Sequence, residues 1–90
     1  MNIPTMQSIL STNKKLITDL HVQQAFYIEA RTYYSQAGLP EVADKQHKNV
    51  VKTRNKIKKL VAVQKEIKMS IKQEALFQML QLEYDIFEAA

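Results

Sequence analysis

Few residues in this chain have the types and spacing that chemistry requires. Its two histidines stand far apart, and His21 has no carboxylate or second histidine three or four residues away in either direction. His47 has only Asp44 within one helical turn, a pair that suits a surface contact better than a metal site. Glu83 and Asp85 are two apart, so on a helix they point to different faces and cannot share a substrate. Ser8, Ser11 and Thr12 lie near an expected helix start, where hydroxyls cap backbone N–H groups. There is no cysteine, hence no disulfide, thiolate ligand or cysteine nucleophile. A single glycine cannot build a phosphate-cradling loop. Nothing pairs a nucleophile with a base and an oxyanion donor. No catalytic, cofactor-binding or metal site is expected, and the chain reads as a non-enzyme.

The strongest polar signal is a run of lysines. Lys45, Lys48, Lys52, Lys56 and Lys59 step by threes and fours, and so fall within roughly 80° of one another around a helix. Arg54, Lys58 and Lys65 flank them, and no acid interrupts residues 45–65. The windows 1–44, 45–65 and 66–90 carry −1, +8 and −3, which together make the net charge of +4. A helix whose charges serve solubility alone normally mixes signs for i,i+4 pairing. An unmixed run suggests an acidic partner, and lysine over arginine suggests diffuse attraction rather than bidentate reading of bases. The bland alternative is a solvated flank whose lysine stems cover apolar edges. Phe26, Tyr27, Tyr33 and Tyr34 have rings that could stack on nucleotides, but at helical spacing such residues are more often packing residues.

Helices must position these groups. With 46% apolar residues in 90, the chain has enough for one domain and is not disordered by composition. The segment 5–36 contains neither glycine nor proline, and Met6, Ile9, Leu16, Leu20, Tyr27, Ala30 and Tyr34 recur at helical spacing, with Leu10 and Ile17 widening the stripe. Thr5 or Ser8 is a candidate cap beside Pro4. Around Ala25–Ile28 the helix turns apolar on nearly every side, which predicts more than one covering neighbour. Residues 37–40, Ala-Gly-Leu-Pro, then supply a left-handed C-cap at Gly38 and a first-turn proline at Pro40. A second helix over about 41–88 carries a seven-residue repeat through Ala43, Gln46, Val50, Thr53, Ile57, Leu60, Gln64, Ile67 and Ile71. Beyond Ile71 the stripe drifts through Ala75, Met79, Leu82 and Ile86. The fold class is all-α, a long helical hairpin in a single domain.

Such a hairpin has unequal arms. Gln36 lies opposite Glu41, Thr5 lies opposite about Lys72, and residues 73–88 overhang by about 24 Å. That overhang holds Leu76, Phe77, Met79, Leu80, Ile86 and Phe87, each worth roughly 1.5–3 kcal/mol when buried. One resolution is a helix break near Ser70, where Ser70 and Gln73 fit a capping box, giving a three-helix unit. The other is a straight helix covered by a different chain.

The segment Ile71 to Phe87 resembles a helical segment of small ciliary microtubule inner proteins, of the cilia- and flagella-associated protein families, at Lys72, Leu76, Met79, Leu80, Glu83 and Phe87. The resemblance implies a non-catalytic protein held inside the doublet microtubule of an axoneme, with tubulin and neighbouring axonemal proteins as partners. The residues alone leave two other readings open: a small basic helical nucleic-acid-binding protein, and a self-associating bundle. Residues 1–15 lack the pattern of a secretory signal, and no apolar run approaches a membrane span, so a cytoplasmic location and no membrane partner are expected.

Overall fold

The computed structural model describes residues 1–89 and contains two helices, α1 (Ile3–Gln36) and α2 (Pro40–Ala89). They pack antiparallel as a rod of 79 × 15 × 14 Å. The all-α hairpin follows from uninterrupted helix-forming sequence on either side of one strong stop signal.

α1 starts earlier than its hydroxyls suggest. Asn2 is the cap, in an extended conformation, and its Oδ1 accepts from the Thr5 N–H at 2.8 Å. Pro4 sits in the first turn, where a missing N–H costs nothing. The other end closes as a Schellman turn: the Leu39 N–H donates to the Tyr34 carbonyl at 2.9 Å and the Gly38 N–H to that of Ser35 at 3.2 Å. Gly38 adopts φ 77°, a conformation only glycine enters without cost. Pro40 opens α2.

The helices meet along a seam with the spacing of a coiled coil. In α2 it uses the expected repeat, with Val50, Thr53 and Ile57 buried and Ala43, Gln46, Leu60, Gln64, Ile67 and Ile71 half-buried. In α1 it runs through Ile3, Met6, Leu10, Asn13, Ile17, Leu20, Gln24, Tyr27, Arg31 and Tyr34. This corrects the expected stripe: Leu16 lies on the flank, 44% exposed, while Asn13 is buried in its place. Counting outward from the turn, Asn13 comes level with Gln64, Gln24 with Thr53 and Arg31 with Gln46. Polar seam positions thus oppose polar ones and apolar oppose apolar, except at the open end where Ile3 comes level with Glu74, and this matching favours the register over a slipped one. Thr53 satisfies its hydroxyl within its own helix, donating to the Asn49 carbonyl at 2.8 Å. Asn13 Nδ2 is buried with no protein partner.

Two further expectations are corrected. No break occurs at Ser70, where α2 continues as helix, so the three-helix alternative is not adopted. The greasy turn at Ala25–Ile28 has one neighbour only: Tyr27 faces the seam, while Phe26 is 65% exposed.

Candidate interaction surface

The Arg31 and His47 side chains join the two helices near the turn, with Arg31 Nη1 3.0 Å from His47 Nδ1. Asp44 does not pair with His47 as its spacing suggests; it forms an ion pair with Lys48 at 3.4 Å, one turn along α2. An open groove of about 550 Å³ lies beside these groups, between Ser35 of α1 and Pro40 and Asp44 of α2. His21 is exposed. Among the described residues no three His, Asp or Glu side chains come together as a metal cluster.

The lysine run occupies the outside of the hairpin. Lys45, Lys48, Lys52, Lys56 and Lys59 are all exposed, as are Arg54, Lys58 and Lys65. Among the described residues the single salt bridge is that of Lys48, so the rest of this run has no carboxylate partner. Of the aromatic candidates, Tyr27 and Tyr34 are half-buried in the seam, whereas Phe26 and Tyr33 lie outside it. Each packs edge-on against its neighbour, Phe26 with Tyr27 at 5.9 Å and Tyr33 with Tyr34 at 5.3 Å between ring centres. All four sit on α1, whereas the lysines sit on α2.

The overhang is bare. α2 has 50 residues against 34 in α1, and every described residue beyond Glu74 is exposed. The six proposed interface residues, Leu76, Phe77, Met79, Leu80, Ile86 and Phe87, are all in this class, with Leu82 and Tyr84 beside them. Their arrangement has a feature that a single drifting stripe does not describe. At about 100° per residue, Gln78, Gln81, Asp85 and Glu88 fall in one arc about 80° wide that continues the line of the seam. The large apolar residues occupy the remaining arc, interrupted by Glu83 alone. The polar arc is also laced internally: Gln78 donates to Glu74 at 3.5 Å and Gln81 to Asp85 at 3.3 Å. The side of α2 that α1 would have covered, had it been longer, is therefore polar. The opposite side is apolar.

Among the described residues no helix is long and apolar enough to cross a membrane. The chain matches no family model, no curated protein and no solved structure. Function must therefore be read from the geometry of the hairpin itself.

Proposed function

We propose that this chain is a non-catalytic structural protein that docks into a larger protein assembly. The observation that carries this reading is the overhang: eight large apolar side chains, each more than half exposed, on a helix end that no other described residue covers. A contiguous apolar patch of this kind marks an interaction site. The lysine run supplies long-range attraction to an acidic surface, and burial of the overhang supplies the grip. The resemblance at Lys72, Leu76, Met79, Leu80, Glu83 and Phe87 names the assembly: the lumen of the ciliary doublet microtubule, where tubulin is acidic. The location that goes with it is the axoneme.

The test is co-sedimentation of the full chain with polymerised tubulin across a salt series. Replacing Lys48, Lys52, Lys56 and Lys59 by glutamine is expected to weaken binding and flatten its salt dependence, because exposed charges are screened within about 8–10 Å. Binding unchanged by the quadruple substitution at low salt would reduce the lysines to a solvated flank. A second reading, a basic helical nucleic-acid-binding protein, is favoured by the acid-free run at 45–65. Nuclease treatment of a ciliated-cell extract separates the two, since partners held through nucleic acid are then lost.

A further inference from the structure

The lysine run and the apolar overhang share one side of one helix. Relative to the seam, Lys48 lies opposite it, and Lys45, Lys52 and Lys59 lie about 130° round on one side. Continuing the seam's seven-residue repeat into the overhang, Leu76 again lies opposite it, and Leu80 and Phe87 about 130° round on the side of those lysines. Lys58, Lys65 and Lys72 lead in the same way, on the other flank, toward Met79 and Ile86. Because α2 is unbroken, this face continues from Lys45 to Phe87 over about 63 Å, keeping its place relative to the seam while winding round the helix by about 20° per seven residues.

Resting on the docking reading above, we infer that the outer face of α2 is a single composite strip, and that its occupant is one protein surface presenting an acidic stretch continuous with an apolar groove. α1 then points away from the partner. Charge selects this occupant: Lys45, Lys48, Lys52, Lys58, Lys59 and Lys65 on this face, with no acid among residues 45–65, favour negative charge opposite them. The apolar end selects protein over nucleic acid, since a phosphate backbone offers nothing to Leu76, Leu80 and Phe87. A second copy fits poorly. Laid along the same face it would set lysines against lysines; joined tail to tail it would bury only the short overhang and leave the lysines unanswered. Glu83 sits in the middle of the apolar arc, so the occupant must bring it a cation or a hydrogen-bond donor on closing over it.

The chain has no cysteine, so single cysteines report accessibility without background. Four exposed positions suffice: Asn55→Cys and Leu76→Cys on the outer face, Gln81→Cys in the polar arc, and Glu29→Cys on the far side of α1. Each full-length variant is labelled with maleimide alone, with polymerised tubulin, and with duplex DNA. The expected result is loss of labelling at Asn55→Cys and Leu76→Cys on tubulin, with labelling at Gln81→Cys and Glu29→Cys retained. Binding that protects Gln81→Cys or Glu29→Cys, or only one outer position, overturns the composite strip and leaves docking itself intact. DNA that protects Asn55→Cys while tubulin protects neither outer position makes nucleic acid the occupant and overturns the inference. Protection of Leu76→Cys in the chain alone makes a second copy the occupant, with the same consequence. No binding to tubulin at all overturns both the inference and the reading it rests on.

Discussion

Arg31 Nη1 donates to His47 Nδ1 at 3.0 Å, tying α1 to α2 close to their turn. A guanidinium can only donate, so Nδ1 is the acceptor of this hydrogen bond. His47→Ala should lower stability by about 0.5–1.5 kcal/mol, at the low end because the ring is exposed. His21→Ala, which breaks no such contact, should leave the thermal midpoint unchanged. Circular dichroism melts of the two variants make the comparison; equal effects would deny the Arg31 contact any weight.

Gly38 offers a test of the turn. A Cβ there would meet nothing within 4 Å, so substitution loses no packing and meets no clash. The cost is all backbone, from φ 77°. Gly38→Ala should therefore destabilise by about 1–2 kcal/mol, and Gly38→Asn by less, since asparagine tolerates this conformation. Equal losses for the two would contradict the backbone explanation.

Asn13 is the seam's weak layer. Its Nδ2 is buried without a protein partner, a deficit that costs about 1–3 kcal/mol. Asn13→Leu is expected to raise the thermal midpoint. A lower midpoint would show the amide to be satisfied in solution. An altered sedimentation coefficient would show instead that this polar layer holds the register or the association state.

Stability should divide sharply along α2. Ile57 is buried, and Ile57→Ala should cost about 2 kcal/mol or more. Phe87 is 79% exposed, and Phe87→Ala should cost nothing measurable in the free chain. Deleting residues 75–90 should leave a cooperatively melting hairpin that no longer co-sediments with polymerised tubulin. Loss of the folding transition on deletion would mean the overhang belongs to the core.

The carboxylates of the overhang should separate by side. Glu83 interrupts the apolar arc, whereas Glu88 lies in the polar one. Glu83→Lys should abolish binding to the assembly and Glu88→Lys should barely change it, with the free chain equally helical in both. The reverse order would place the partner on the wrong side of the helix.

Much of the hairpin is legible in the sequence. Gly38 and Pro40 locate the turn because few conformations need both. The α2 seam is readable because Val50, Ile57, Leu60, Ile67 and Ile71 keep a strict repeat. The α1 seam is ambiguous at Leu16 because two apolar rows, Ile9 with Leu16 and Leu10 with Ile17, compete at adjacent positions. Only the partner helix decides between them, and it decides for the row that includes Asn13. The Arg31–His47 contact spans the turn and has no local signature. At the overhang, apolar residues run on past Ile71 as though they continued one stripe. In the hairpin the stripe ends where α1 ends, and the apolar side chains from Leu76 onward face away from it.

An unbroken α2 also behaves as a rigid shaft. The hairpin and the overhang are keyed to each other in phase, with no joint at Ser70 to absorb a twist. Inserting one alanine after Gln73 would spin the apolar arc by about 100° relative to the lysines while leaving every side chain in place. Inserting seven would return it to within about 20° of its starting angle, but about 10 Å further along. A partner that grips both ends of the shaft would therefore read angle and distance separately.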